Sequence, residues 1–213
     1  MGTARWRCVI FDLDGTVADT IGLIIACYRH ALKTVLGVEP DPQEVRSWIG
    51  RTLQDSFAAH WPEHVDELIE VYRAWNRAHT PTMVTAFPGM AELLADLAAA
   101  GIASGTATSK GREVAARTLA VAGLDLPVTV AADDTSSHKP APEPLLLAQE
   151  RLGMTGVPTV YVGDALVDIQ AARAAGMDAI AVTWGAGEPD ALVAAAPTAL
   201  ASTVDELRAL LLS

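Results

Sequence analysis

The sequence predicts an α/β protein in which a doubly wound, Rossmann-like parallel sheet carries a small all-helical domain. Short apolar runs alternate with helical segments that stop at glycine, which is typical of strand–helix–strand units with parallel strands. Residues 17–85 interrupt this alternation with helical periodicity and without a strand pattern. A length of 213 residues suits one domain with a modest insertion. We therefore predict an α/β core over residues 1–16 and 86–213, with a helical domain over residues 17–85.

The strands of the core are predicted from continuous apolar runs. Such runs indicate strands that are buried on both faces, as they are in a parallel sheet. In chain order the runs cover residues 8–11, 102–108, 127–132, 158–163 and 178–183, and the run at 127–132 is the weakest. The alanine-rich segment 191–201 is predicted to form a helix and a loop.

The helices are predicted from apolar periodicity and from the glycine that follows each helix of the core, because glycine adopts the left-handed conformation that ends a helix. In the core they cover residues 89–100, 112–122, 143–152 and 166–175. In the insert, Thr20 is predicted to cap a helix that runs to Leu36. Three further helices of the insert are predicted, with Pro62 and Pro81 as breaks, over residues 44–49, 53–60 and 65–78.

Composition excludes several classes of protein. Hydrophobic residues make up 51% of the chain and charged residues 19%, which excludes intrinsic disorder. The net charge of −11 argues against a nucleic-acid partner, which requires a basic face, and an anionic substrate would need a local cation or metal. No apolar run reaches the roughly 20 residues that span a membrane. Cys8 and Cys27 are expected to be free thiols. We expect a cytoplasmic monomer or homodimer without a membrane partner.

Four aspartates follow two of the predicted strands. Asp12 and Asp14 end the first strand, where alternate residues point the same way, and Asp164 and Asp168 follow the strand at residues 158–163. Taken alone, the first pair is also typical of solvated loop acids and the second of helix caps. Because open α/β sheets bind ligands at the carboxyl ends of their strands, the four carboxylates are expected to converge there. Carboxylate oxygens in this number favour Mg²⁺.

Groups suited to anions follow other predicted elements. Thr108 and Ser109 end the strand at residues 102–108, and a hydroxyl followed by backbone N–H groups that turn into a helix forms an anion cradle. Lys139 lies in a loop stiffened by three prolines, where a fixed ammonium can offset carboxylates and bind a phosphoryl oxygen. Ordinary turn residues and a solvated lysine are the alternative interpretation.

Together these segments resemble the four motifs of the haloacid dehalogenase-like superfamily of phosphohydrolases. In chain order the motifs are similar to residues 11–16 (Phe-Asp-Leu-Asp-Gly-Thr), Thr108, Lys139 with its prolines, and Gly163 and Asp164 with Asp168. Order and spacing agree over residues 8–185. The helical insert resembles the cap that follows the first strand in one branch, which is similar to phosphoglycolate phosphatases, and we call it the cap.

The resemblance implies an Mg²⁺-dependent phosphatase that hydrolyses a small phosphorylated metabolite, a phosphomonoester, through an aspartyl-phosphate. Asp12 would be the nucleophile, and Asp14 would protonate the leaving alcohol and then deprotonate the attacking water. The ion would be held by the Asp12 carboxylate, the Asp14 backbone carbonyl and Asp164, while Asp168 would orient a bound water. Three groups would hold the phosphoryl oxygens: Thr108, the Ser109 N–H and Lys139.

The cap is expected to set the choice of substrate. Residues 48–52 resemble the cap loop that faces the active site in this branch, so Gly50 and Arg51 are predicted to bind substrate, Arg51 through a carboxylate or a second phosphate. A surface arginine is the alternative. A β-phosphoglucomutase-like phosphotransferase, a pyrophosphatase and an idle binding or regulatory module stay open. The Gly163–Asp164 pair favours hydrolysis, because mutases of this type tend to carry Glu-Asp there.

Overall fold

A computed structural model describes residues 5–213 and confirms the predicted α/β fold class. Five strands form one parallel sheet in the order β4-β1-β5-β6-β7, and β2 pairs with β3 in a separate antiparallel ribbon. The strands are β1 (Cys8–Phe11), β2 (Ala18–Asp19), β3 (Thr85–Ala86), β4 (Ala103–Thr106), β5 (Thr159–Gly163), β6 (Asp178–Val182) and β7 (Ala199–Ala201). The first four residues of the predicted core segment 1–16 lie outside the described residues.

All but the last of the helices in residues 5–213 lie in or near the predicted helical segments, and the last, over residues 204–212, was not predicted. None in the described part of the chain has the length and apolar character to cross a membrane. The cap contains α1 (Ile21–Leu36), α2 (Pro42–Trp48), α3 (Leu53–His60) and α4 (Val65–Met83). The core contains α5 (Met90–Ala99), α6 (Arg112–Ala122), α7 (Glu143–Arg151), α8 (Leu166–Ala174), α9 (Pro189–Ala194) and α10 (Val204–Leu212).

The central strand β1 contributes to two apolar cores, one on each face of the sheet. Val9 and Phe11 pack with residues of α5, α6 and α10, whereas Cys8 and Ile10 pack with residues of α7, α8 and α9. The pleat of a strand produces this alternation, and helices on both faces explain why all four residues are apolar. The sheet is therefore held rigidly, which fixes the positions of the residues that follow its strands.

The cap has its own aromatic centre. The ring of Tyr28 on α1 lies 5.3 Å from that of Trp48, 5.1 Å from that of Phe57 and 5.0 Å from that of Tyr72. These four rings join α1 to α2, α3 and α4, and edge-to-face contacts of this kind add to the burial of their apolar area. The cap is thus a small helical bundle that can present α2–α4 to the core.

The fifth strand of the sheet is not the predicted one. Segment 127–132 forms a single bridge, between Val130 and Ala107, because Pro127 has no N–H group and can only accept a bond from β4. The fifth strand is instead β7, which lies at the sheet edge beside β6 within the segment predicted as helix and loop. Its three residues are too few to show a strand pattern.

The insert also differs from the prediction in two places. It contains a strand, β2, which pairs with β3 next to the predicted boundary at residue 86. Helix α4 continues through Pro81 instead of ending at Ala78. The Thr80 hydroxyl donates to the Asn76 carbonyl and the Thr82 hydroxyl to the His79 carbonyl, so side-chain hydrogen bonds flank the proline on both sides.

Candidate active site

The predicted site residues gather at the carboxyl ends of three adjacent strands. Asp12 follows β1, and its N–H donates to Val162 in β5 at 2.8 Å. Asp164 follows β5, which pairs in register with β1, so the two aspartates become neighbours. Thr108 follows β4 on the other side of β1. The sheet order therefore brings together residues that are far apart in the chain.

Three of the four predicted carboxylates converge. Asp12, Asp164 and Asp168 each offer an oxygen within 4.8 Å of the others, and all three side chains are buried. The carboxylate of Asp14 lies outside this group. After Asp12 the chain turns, with Gly15 at φ +74° and Asp14 bridged to Ala18, so the alternation of an extended strand no longer applies.

Lys139 is buried inside the carboxylate cluster. Its Nζ lies 3.0 Å from Asp12 Oδ1 and 2.7 Å from Asp168 Oδ1. It also donates to the Tyr161 hydroxyl at 3.0 Å, and that hydroxyl donates to the Ala107 carbonyl at 2.7 Å. Tyr161, absent from the predicted site, thus positions the ammonium from the middle of β5.

Asp164 sits in a tight cradle. Its Oδ1 accepts from the Thr16 hydroxyl at 3.0 Å, and its Oδ2 accepts from the Ala186 N–H at 2.6 Å. A Cβ at either Gly15 or Gly185 would lie closer than 3.0 Å to this carboxylate. Both glycines are therefore required for the carboxylate to occupy its place, since side-chain atoms do not approach that closely.

Burial dominates the electrostatics of the cluster. It raises the pKa of Asp12 to about 7; Lys139 opposes the rise, and Asp168 and Asp14 add to it. Burial likewise raises the pKa of Asp164 to about 8, with Asp168 and Asp12 adding to the rise. Burial alone lowers the pKa of Lys139, but Asp12 and Asp168 outweigh it and hold that pKa well above its usual value. The cluster thus favours an additional cation.

Asp14 has a different environment, which the sequence did not indicate. Its Oδ1 lies 2.6 Å from the Lys110 Nζ and accepts from the Thr20 hydroxyl at 2.7 Å. Lys110, which the predicted site did not include, is thus a second ammonium beside Lys139. Thr20 makes no side-chain capping bond to α1, because its hydroxyl is engaged by Asp14. The position of Lys110 two residues after Thr108 was the available signal.

Thr108 and Ser109 follow β4, beside the strand that leads to Asp12. Thr108 is buried, and its hydroxyl oxygen accepts from the Lys110 N–H at 3.2 Å, which leaves the hydroxyl proton available. The Ser109 hydroxyl donates to the Gly50 carbonyl of the cap at 2.7 Å. No hydrogen bond within residues 5–213 uses the Ser109 N–H. Two donors are thus free beside Asp12.

A cavity of about 580 Å³ separates the cap from the core above these residues. Asp12, Asp14 and Thr108 line it from the core, and Gly50 and Arg51 line it from the cap. The bond from the Ser109 hydroxyl to the Gly50 carbonyl closes the two parts against each other beside this space. A cavity of this size is typical of a site for a small molecule.

Arg46 of α2 is another link between the cap and the core. Its Nε donates to the Ala186 carbonyl at 3.0 Å, and a second guanidinium nitrogen donates to the Gly185 carbonyl. The same loop holds Asp164 through the Ala186 N–H. The cap is therefore connected directly to the segment that positions one carboxylate of the cluster.

The donor set fits a magnesium ion. Asp12, Asp164 and Asp168 are hard oxygen donors, which Mg²⁺ prefers. Among residues 5–213 Lys139 is the one cation paired with these carboxylates, so their negative charge is only partly neutralised. Burial, with the neighbouring carboxylates adding to it, raises the pKa values of Asp12 and Asp164, and a divalent cation would favour their charged forms.

The chain is similar to known hydrolases along nearly its whole length. A family model for haloacid dehalogenase-like hydrolases matches residues 9–182. The chain is 33% identical to pyrophosphatase PpaX of Bacillus pumilus, covering 99% of this chain and 98% of that protein. It is 36% identical to PpaX of Halalkalibacterium halodurans, covering 83% of each. A solved haloacid dehalogenase-like family hydrolase from Streptococcus pneumoniae superimposes with a TM-score of 0.82 at 25% identity, covering 96% of this chain and 98% of that one.

Proposed function

The chain belongs to the haloacid dehalogenase-like hydrolases, and we propose that it is an Mg²⁺-dependent phosphatase that forms an aspartyl-phosphate on Asp12. One observation carries the proposal. Asp12 is a buried carboxylate on the wall of a cavity, with one oxygen held near Lys139 and the other, Oδ2, without a partner among residues 5–213. An oxygen in that position is suited to attack an electrophile that enters from the cavity. The proposed substrate is a small phosphorylated metabolite.

The proposed reaction has two displacements at phosphorus. Asp12 Oδ2 attacks the phosphorus in line, and the bond from phosphorus to the leaving oxygen breaks. Asp14 gives a proton to the leaving oxygen and later takes one from the water that cleaves the aspartyl-phosphate, which releases phosphate and restores Asp12. Lys110 and Thr20 hold the Asp14 carboxylate on the cavity wall, where the leaving oxygen would lie in the proposed complex.

Positive charge and hydrogen-bond donors would hold the transferred phosphoryl group. The Thr108 hydroxyl and the Ser109 N–H are free donors beside Asp12, and Lys139 keeps the Asp12 carboxylate oriented. Asp12 and Asp164 would hold Mg²⁺, with Asp168 fixed behind them by Lys139 and the Ala165 N–H. When bound, the ion offsets the negative charge of the phosphoryl oxygens and the carboxylates, which phosphoryl transfer requires above all.

Pyrophosphate is the second candidate substrate, beside a phosphomonoester of the phosphoglycolate type. The similarity to PpaX proteins over 83–99% of the chain supports it. Both substrates would use the same nucleophile and differ only in the leaving group, which is phosphate for pyrophosphate and an alcohol for a monoester. The steady-state kcat/KM for pyrophosphate and for phosphoglycolate distinguishes the two.

The test of the proposed chemistry is phosphate release from p-nitrophenyl phosphate. The wild type is expected to turn it over with Mg²⁺ and to stop when EDTA removes the ion. Asp12→Asn is expected to lower kcat by about a thousandfold or more, because the amide cannot act as the nucleophile. Asp19→Asn, the same change at an exposed position of β2, is the matched control. Wild-type turnover by Asp12→Asn would contradict the proposal.

A further inference from the structure

The arginines without a partner are concentrated at the active site. The chain has twelve arginines. The side chains of eight of them form hydrogen bonds or ion pairs within residues 5–213, and four do not: Arg7, Arg51, Arg73 and Arg77. Three of those four, all in the cap, line the cavity above Asp12. In a chain of net charge −11, this is a local excess of positive charge that the fold does not neutralise.

Arg73 and Arg77 lie one turn apart on α4. Four residues correspond to a rise of about 6 Å, so the two side chains leave the same face of the helix. Glu70 is three residues before Arg73 and could pair with it, yet no ion pair joins them. Two like charges at this spacing destabilise a helix slightly. Both residues are exposed and line the cavity, and neither side chain forms a hydrogen bond or an ion pair within residues 5–213.

The cations on the opposite wall are already engaged. Arg117 of α6 pairs with Glu113 at 2.9 Å, and Arg112 pairs with Asp134. Lys110 is held by Asp14. The cap arginines are therefore the positive charges of this cavity that remain available to a ligand.

We propose that Arg73 and Arg77, together with Arg51, bind a second phosphoryl group on the leaving-group side of the substrate. This inference rests on the proposed phosphatase, because there the leaving group must occupy the cavity beside Asp14. Guanidinium groups bind phosphate and carboxylate oxygens through paired hydrogen bonds. Three of them match the two charges of a phosphoryl group better than the single charge of a carboxylate.

The volume of the cavity bears on what joins the two phosphoryl groups. About 580 Å³ corresponds to roughly 20 water volumes. This space is large enough for a substrate with an organic segment between its two phosphoryl groups, and it also accommodates a direct anhydride of the two. The substrate class is therefore a diphosphate or an organic bisphosphate, with one phosphoryl group at Asp12 and the other at the arginines of α4.

The experiment compares kcat/KM for substrates whose leaving groups differ in charge. Fructose 1,6-bisphosphate carries a second phosphoryl group that fructose 6-phosphate lacks, and pyrophosphate is the smallest diphosphate. Phosphoglycolate carries a carboxylate that ethyl phosphate lacks. The wild type is expected to prefer pyrophosphate over ethyl phosphate, or the bisphosphate over fructose 6-phosphate, by at least about tenfold. Because phosphate is also a better leaving group than ethanol, the pyrophosphate comparison counts only through its loss in the arginine variants. Arg73→Ala with Arg77→Ala is expected to reduce that preference about tenfold or more, and the two lysine variants less, because lysine keeps the charge.

The control is Arg29→Gln, an exposed cap arginine that pairs with Glu39 and does not line the cavity. It is expected to keep the wild-type preference. A wild type without preference for a second phosphoryl group, or a double variant that keeps the preference, would overturn the inference. A preference for phosphoglycolate over ethyl phosphate alone would also overturn it, in favour of a carboxylate. None of these outcomes affects the proposed function, which fails separately if Asp12→Asn turns over p-nitrophenyl phosphate like the wild type.

Discussion

Replacing Lys139 with methionine tests whether the buried ammonium holds the site together. Methionine keeps most of the apolar volume of the lysine side chain and removes its charge. The change leaves Asp12 and Asp168, which lie 3.0 Å and 2.7 Å from Nζ, without a cation in a buried environment. It also leaves the Tyr161 hydroxyl without its donor. The stability of the metal-free protein is the quantity to measure.

The expected loss is large. Breaking a buried ion pair by removing one partner costs about 3–5 kcal/mol, because the remaining charge stays desolvated. For a chain of 213 residues, each 1 kcal/mol shifts the unfolding midpoint by about 2–4 °C, so the midpoint should fall by about 6–20 °C. The loss should be smaller at low pH, where a buried carboxylate can take up a proton instead of remaining charged.

Urea unfolding of four proteins measures the coupling directly: the wild type, Lys139→Met, Asp168→Asn and the double variant. The amide introduced by Asp168→Asn can still accept from the Ala165 N–H, which bonds Asp168 Oδ2 at 2.9 Å in the wild type. The double variant is expected to be more stable than the sum of the two single losses implies, by about 1–3 kcal/mol. Losses below about 1 kcal/mol for Lys139→Met, or strictly additive losses, would refute the ion-pair reasoning.

Three further predictions concern the carboxylate cluster. Gly185→Ala places a Cβ against the Asp164 carboxylate and should abolish the Mg²⁺ binding measured by calorimetry. The control Gly22→Ala, which has open space around its Cβ, should bind Mg²⁺ normally. Equal Mg²⁺ affinities of the two variants would contradict the packing argument. Folding raises the pKa of Asp12 from 3.8 to about 7 and that of Asp164 from 3.8 to about 8. The contribution of these two groups to the stability of the metal-free protein should therefore be greatest below about pH 4, and it should be lost as the pH rises through 7 to 8. Added Mg²⁺ should therefore raise the unfolding midpoint more at about pH 8 than at about pH 6, and the reverse order would refute this linkage. Arg46→Gln should weaken Mg²⁺ binding up to about tenfold, because the loop that holds Asp164 loses its contact with the cap. An unchanged dissociation constant for Mg²⁺ would exclude this coupling between the cap and the Asp164 loop.

The parts of the site that follow strand ends could be predicted from the sequence. Asp12 and Asp164 come directly after an apolar run and Thr108 ends one, and parallel strands bring their carboxyl ends to one edge. The Lys110–Asp14 pair could not be predicted, because it depends on the turn at Gly15 that rotates Asp14 away from Asp12. Arg46 could not be predicted either, since its contacts depend on how the cap docks on the loop after β6.

The strands show the same distinction. β1 and β5 are buried on both faces, so an apolar run identifies them, and their positions agree with the prediction. β7 has three residues and lies at the sheet edge, where pairing with β6 on one side decides its conformation. Segment 127–132 is apolar enough to resemble a strand, but Pro127 removes a donor and only Val130 is bridged to Ala107. Local pattern therefore identifies β1 and β5 but misses β7, because the conformation of this three-residue strand depends on a neighbour that the pattern does not contain.

The separation of charges in this site explains how an acidic protein could accept an anionic substrate. The carboxylates lie in the core, where Lys139 neutralises part of their charge and a divalent ion would neutralise more. The guanidiniums of Arg73 and Arg77, which have no partner among the described residues 5–213, lie in the cap on the other side of the cavity. In the proposed complex a substrate with two phosphoryl groups contacts both regions, so its binding free energy also favours docking of the cap. A substrate with one phosphoryl group would leave the cap arginines without a counter-charge, and that difference is the physical basis of the proposed selectivity.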